Sequence, residues 1–231
     1  MGGKDAIIVD EEFDLEEAAG GVAAAAFGFQ AQKCSACSRA IVLESIHDDF
    51  VELLEQKTRE LVRMGSVEDP SVNFGPVINR RAQQRSLSYI EKGREEGDLL
   101  SGGHSGAEEG YYIEPTILTN VDPRGVIARE EIFGPVLAVI RAGDYEHALR
   151  IANDTGFGLT GAVDTTNPAK LERAKNEFYV GNLYLNRKCT GALVGIHPFG
   201  GFNMSGTDSK AGGRDYLLLF TQAKSIARKL P

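Results

Sequence analysis

Short β-branched runs alternate with longer segments of helical periodicity along most of this sequence. That alternation admits few folds, because it is the pattern of parallel strands joined by helical crossovers. Strands are expected over 6–9, 39–43, 136–141, 160–163 and 182–185, and helices over 15–27, 47–64, 80–97, 145–153 and 168–178. In the second helix Phe50, Leu53, Leu54, Leu61 and Met64 recur at helical spacing and are expected to face the core. No internal repeat and no linker divides the 231 residues, and their 42% hydrophobic content supplies a normal core, so one domain is the simplest organisation. The Gly-rich stretch from Gly191 to Gly213 breaks the alternation, and "DYLLLFTQAKSIARKL" after it reads as an extended arm.

Charge narrows the function. There are 33 acidic against 25 basic residues, a formal charge of -8, and no Lys/Arg block longer than a pair such as Arg80-Arg81. Nucleic acid and anionic membrane are poor partners for such a chain. No apolar run approaches the roughly 18 residues of a spanning helix, and the first residues lack the basic start of a secretory signal. The cytoplasm is the expected location. Three cysteines, an odd count, fit a compartment where thiols stay reduced. Neither a GxGxxG fingerprint nor a Walker lysine motif occurs, so a dinucleotide would need its main binding fold from elsewhere.

The stretch "FQAQKCSACSR" at 29–39 puts two thiols three residues apart. No second pair completes a zinc site, since Cys189 and the histidines 47, 104, 147 and 197 lie far off without ligand spacing. A thioredoxin-type pair follows a strand and opens a helix, whereas here an alanine-rich helix precedes the thiols and a strand follows. Two readings stay open. Both thiols are small core fillers, or Cys34, bracketed by Gln32, Lys33 and Ser35, is a nucleophile that needs a base or an electropositive setting to ionise.

Six segments in order, "GGKDAIIVD" (2–10), "FGFQAQKCSACSR" (27–39), "EEIFGPV" (130–136), "ANDTGFGLTG" (152–161), "GNLYLN" (181–186) and "PFGGFNMSG" (198–206), resemble the aldehyde dehydrogenase superfamily. "QKCSACSR" and "NRKCTGALVGIHPFGGFNMSGTDSKAGG" are most similar to its 1-pyrroline-5-carboxylate dehydrogenase branch, which oxidises glutamate semialdehyde to glutamate in proline breakdown. The resemblance implies an α/β fold, an open, mostly parallel sheet with helices on both faces. It implies a cysteine-bearing catalytic domain over 1–213 and an irregular C-terminal arm over 214–231 that can act as an oligomerisation strand in a homo-oligomer.

Roles follow by the same resemblance. Cys34 matches the nucleophile, which attacks the aldehyde carbon and passes through a thioester while NAD takes the hydride. Its own backbone N–H would be one oxyanion donor. Glu131 matches the carboxylate that holds the nicotinamide ribose, and Phe133 the aromatic beside the nicotinamide. Ser35, Gly191 and Ala192 match the groups that hold the substrate's α-carboxylate, and Phe199 would pack on its aliphatic stem. Cys37 and Cys189 fall where the family needs no thiol and are expected to be buried bystanders. The alternatives are an aldehyde dehydrogenase of other specificity, or a noncatalytic domain that binds a small carboxylate or a partner.

Two departures qualify the resemblance. The family's general base is a glutamate just ahead of the Gly-Gly-Lys motif, which here follows Met1 directly. The cofactor-binding domain and a second oxyanion donor also belong upstream, so these residues alone are expected to show no turnover. The family usually has glycine where this sequence has Ala31, and a positive φ there would strain the alanine.

Overall fold

The computed structural model describes residues 2–106, 110–206 and 209–231. Thr207 and Asp208, inside the resembling stretch 186–213, lie outside the described residues, as does Met1 at the start of the expected domain. In chain order the elements are β1 (Asp5–Val9), α1 (Leu15–Phe27), β2 (Cys37–Leu43), α2 (His47–Leu61), α3 (Arg80–Glu96), β3 (Asp98–Ser101) and β4 (Thr116–Thr119). The short α4 (Val126–Arg129), then β5 (Val136–Ala142), α5 (Tyr145–Asn153), β6 (Thr160–Asp164), α6 (Pro168–Glu177) and β7 (Asn182–Leu185) complete the set.

The seven strands form one sheet in the order β3-β4-β5-β2-β1-β6-β7. All neighbours are parallel except the β3–β4 pair. The order reverses at β1, which has β2 on one side and β6 on the other. Strands buried on both faces read as continuous apolar runs, and "AIIV" and "AIVL" do so. Alternate residues then serve two cores. Ile7, Val9, Ala40 and Val42 pack with α1 and α2 on one face, while Ala6, Ile8, Ile41 and Ile140 pack with α3, α4, α5 and α6 on the other. The expected open, mostly parallel sheet covered on both faces is the observed one.

Helix boundaries have identifiable causes. Side chains of Asp14, Asn79, Asp144 and Asn167 accept from the first-turn N–H groups of α1, α3, α5 and α6, satisfying donors that a helix start leaves unpaired. Helix α2 ends at Leu61, three residues short of expectation. Asn73 donates to the Leu61 carbonyl at 2.7 Å and accepts from Arg63 N–H at 2.9 Å, drawing the chain off the helix axis. Leu61 and Met64 are therefore exposed, and the buried stripe is Phe50 and Leu54. The four-residue strands β3 and β4 and the one-turn α4 go beyond the elements expected.

Candidate active site

The amino ends of β1, β2 and β5 converge. Gly3, Cys34 and Glu131 each lie within five residues of one of those ends. Before β2 the chain leaves α1 through Phe29, Gln30 and Ala31, three consecutive residues with φ between 54° and 59°. A turn closed by Ala36 N–H donating to the Lys33 carbonyl (3.2 Å) then presents Cys34 and Ser35. Ala31 thus sits in the left-handed region that its departure from glycine makes costly.

Below the turn, backbones meet at contact distance. A β-carbon on Gly3 would lie 2.2 Å from the Cys34 carbonyl oxygen and 2.4 Å from Asp5 Oδ2, so no other residue fits there without displacement. Asp5 Oδ1 accepts from both the N–H (2.6 Å) and the hydroxyl (2.9 Å) of Thr160. Beside it, Arg39 donates twice to the Lys4 carbonyl (3.0 and 2.7 Å) and once each to the carbonyls of Ile151 and Ala152 (both 2.9 Å). These groups are buried, and burial moves them toward neutrality. It pushes Asp5 up to about 7, against its Thr160 bonds and the Arg39 charge. It lowers Lys4 to about 7, with Arg39 adding to the effect. Lys4 Nζ has no hydrogen-bond partner among the described residues.

Cys34 itself is partly buried and free. Its thiol is raised above the ordinary value, first by burial and then by the negative charge of Asp5, with a smaller contribution from Glu131. Its own N–H and that of Ser35 pull the other way. The two N–H groups favour negative charge at the sulfur, yet burial and the neighbouring carboxyl groups prevail, so the thiol stays above its ordinary value.

The sulfur-bearing turn stands between two spaces. On one side is a cavity of about 880 Å³ lined by Cys34, Ser35, Phe133, Gly191, Ala192 and Phe199 among others. On the other is a cleft of about 20 Å³ that shares Lys33, Cys34 and Phe133 with it and adds Gly3 and Glu131. Six of the seven residues singled out from the sequence therefore meet in one cavity, and Glu131 lies across Cys34 from it. One Glu131 oxygen accepts from Gly3 N–H at 3.0 Å. The other faces the Gly2 Cα, where a β-carbon would come within 2.7 Å. Phe133 is exposed with φ 60°.

Gly191, with φ +102°, and Ala192 reach the cavity because the chain returns along the sheet edge after β7. Asn182 fastens the return, donating to the Pro198 carbonyl (2.9 Å) and accepting from Gly200 N–H (3.2 Å). Cys189 adds a contact to the Ser35 carbonyl at 3.6 Å. Cys37 and Cys189 are buried at 1% and 0% exposure, as expected of bystanders. Cys37 directs its thiol to the Arg39 carbonyl and lies against Cys189, not Cys34.

The sequence reading passed over Thr190, His197 and Tyr216, which also line the cavity. Among the described lining residues Lys33 carries positive charge and none is acidic, a bias toward an anionic guest. His197 Nδ1 accepts from Leu193 N–H at 3.1 Å, which closes the Leu193–His197 loop on itself. Tyr216 belongs to the expected arm. Beyond it, residues 221–231 are exposed and form no strand.

The aldehyde dehydrogenase family model matches residues 1–226. A 1-pyrroline-5-carboxylate dehydrogenase of Anoxybacillus flavithermus (strain DSM 21510 / WK1) is 54% identical over 227 residues, 98% of this chain and 44% of that protein. The enzyme of that name from Bacillus subtilis (strain 168) is 52% identical over 227 residues, with the same two coverages. Among solved structures, a 1-pyrroline-5-carboxylate dehydrogenase from Thermus with bound NAD superposes with a TM-score of 0.92 at 51% identity, over 95% of this chain and 42% of that one. The chain spans less than half the length of the curated relatives it matches.

Proposed function

Because the chain belongs to the aldehyde dehydrogenase family, we propose that it is the thiol-bearing catalytic part of an NAD-dependent 1-pyrroline-5-carboxylate dehydrogenase, converting L-glutamate γ-semialdehyde to L-glutamate. The observation that carries this reading is the position of Cys34 between a roomy cavity with no acidic side chain among its described lining residues and a narrow cleft that ends on Glu131.

In this reading the aldehyde enters the large cavity. Its α-carboxylate meets the Ser35 hydroxyl and the N–H groups of Gly191 and Ala192, a turn whose positive φ favours an anion-holding concavity. Phe199 covers the aliphatic stem, and Lys33 supplies a favourable field. The Cys34 thiolate adds to the carbonyl carbon, and the Cys34 N–H faces the oxyanion that forms. Departure of hydride leaves a thioester on Cys34, and attack by water on its carbonyl carbon releases the acid and the thiol. Burial, Asp5 and Glu131 hold the thiol above its ordinary value, so its attack on the carbonyl carbon needs a base to take the proton.

NAD, when bound, supplies the hydride acceptor. The residues on the cleft side fit its nicotinamide end: Glu131 keeps an acceptor oxygen for a ribose hydroxyl after binding Gly3 N–H, and Phe133 offers an exposed ring. Arg81 and Arg85 line a groove of about 430 Å³ beyond Phe133, and Arg85 also donates to the Glu131 carbonyl. The three free thiols fit a reducing cytoplasm. In the same proposal residues 1–213 are the catalytic domain, and the exposed segment 214–231, with its run Leu217, Leu218, Leu219 and Phe220, pairs with a second copy.

The test is peptide mapping after brief treatment with an aldehyde-mimicking electrophile. Cys34 is modified and Cys37 and Cys189 stay free; equal modification of all three overturns the reading. In a polypeptide that also carries the cofactor-binding fold, Cys34→Ser lowers kcat by roughly 10³-fold or more.

A further inference from the structure

Strand β7 ends in a sharp turn. Asn186 takes φ 55°, a left-handed conformation that asparagine adopts more readily than most residues. Its N–H donates to the Val163 carbonyl at 2.9 Å, and its Oδ1 accepts from Thr165 N–H at 3.0 Å, so the turn is tied to the neighbouring strand. The next residue, Arg187, then folds back over β7. Its guanidinium carbon lies 4.9 Å from the centre of the Tyr184 ring, a ring held in the core at 7% exposure. A cation over an aromatic face is attracted by the ring's negative quadrupole. Further along, the buried Cys189 and Thr190 pin the chain before it reaches Gly191.

The same guanidinium reaches Gly191. A β-carbon on that glycine would come 3.3 Å from Arg187 Nη2, so the cation flanks the backbone whose N–H groups, at Gly191 and Ala192, face a carboxylate in the function proposed above. Arg187 does not line the cavity at Cys34; it stands behind the wall that Gly191 forms. Its charge is not neutralised there. Among the described residues it makes no ion pair, although Glu17 and Asp164 line the smaller cavity of about 300 Å³ that it borders. A positive charge behind a turn of N–H groups adds to the field those dipoles direct at an anion. Arg187 is also open to solvent, which screens the field and keeps its effect moderate.

We propose that Arg187 is a specificity-determining residue, which acts through the Gly191–Ala192 turn to favour a guest ending in a carboxylate over one ending in an uncharged amide. The inference rests on the reading of that turn as the holder of the α-carboxylate. Lysine at this position keeps the charge and loses the planar group that stacks on Tyr184, so Arg187→Lys retains part of the preference and Arg187→Gln removes it.

The test titrates L-glutamate and isoglutamine, whose α-carboxylate is replaced by a carboxamide, into the full chain while the amide resonances of Gly191 and Ala192 are followed. The unsubstituted chain binds glutamate about tenfold more tightly than isoglutamine. Arg187→Gln weakens glutamate by about three- to tenfold and leaves isoglutamine within about twofold, with Arg187→Lys in between. Raising salt from about 0.05 to 0.5 M shrinks the difference between the unsubstituted chain and Arg187→Gln. Equal weakening of both ligands in Arg187→Gln would mean that the side chain only supports the loop, and overturns the proposal. A preference for glutamate that survives intact in Arg187→Gln also overturns it, while leaving the carboxylate-holding turn in place. No shift at Gly191 and Ala192 in the unsubstituted chain removes the turn's role and the proposal together.

Discussion

Opposed influences set the reactivity of Cys34: two backbone N–H groups favour its thiolate, while burial, Asp5 and Glu131 disfavour it and prevail. Alkylation of Cys34 should therefore keep accelerating with pH beyond the ordinary thiol range. Asp5→Asn, which retains an acceptor for Thr160, should shift the rate profile to lower pH, and an unchanged iodoacetamide profile would contradict the role given to Asp5. Ala31 carries a different cost. Its φ of 54° lies where a β-carbon is disfavoured, so Ala31→Gly should stabilise the chain by about 0.5–1 kcal/mol, measured as a higher urea midpoint. That position was legible in the sequence because glycine was expected there. The cavity's other contributors were legible only in part. Cys34, Ser35, Gly191, Ala192 and Phe199 stood out through their resemblance to a family, whereas His197 and Tyr216 sit in irregular segments with no periodicity to show which way they turn.

At the scale of elements, helix α1 carries two glycines, Gly20 and Gly21, at interior positions where an added methyl meets nothing within 4 Å. Gly20→Ala and Gly21→Ala should each raise stability by about 0.5–1 kcal/mol through helix propensity and a less free unfolded chain. Gly161 in β6 is the opposite case, because a β-carbon would lie 2.4 Å from the Phe178 ring that packs on the sheet. Gly161→Ala should cost about 1–3 kcal/mol, and a neutral result would show that the ring can move aside. The five strands read from the sequence were those with β-branched or apolar runs bounded by turns. The two it did not yield, β3 and β4, are four residues each, and β3 is a half-exposed antiparallel edge whose "DLLS" carries little strand signal. The overlong estimate for α2 has a comparable cause, since the Asn73 contacts that end it come from twelve residues downstream of Leu61.

For the whole molecule, three buried ionisable groups set a pH dependence with opposing slopes. Asp5 and Asp164 are held near 7, against 3.8 for the free carboxyl. The folded chain keeps protons that the unfolded chain has released, so their contribution to stability is full below pH 3.8 and is lost as pH rises through about 7. Lys4 works in reverse. It gives up its proton near 7 when folded and near 10.5 when unfolded, so stability is gained as pH rises across that interval. Lys4→Met should flatten the alkaline limb and stabilise the protein at pH 7 by on the order of 1–3 kcal/mol, as read from urea midpoints at several pH values. A midpoint that falls in Lys4→Met would mean that its ammonium has a stabilising partner in solution. The guanidinium of Arg39, with its four bonds to carbonyls of Lys4, Ile151 and Ala152, joins the entry to β1 with the last turn of α5. Those two segments should consequently admit deuterium in a single cooperative event, with the main chain beneath Cys34 exchanging at the slow pace of the interior and residues 221–231 exchanging at once.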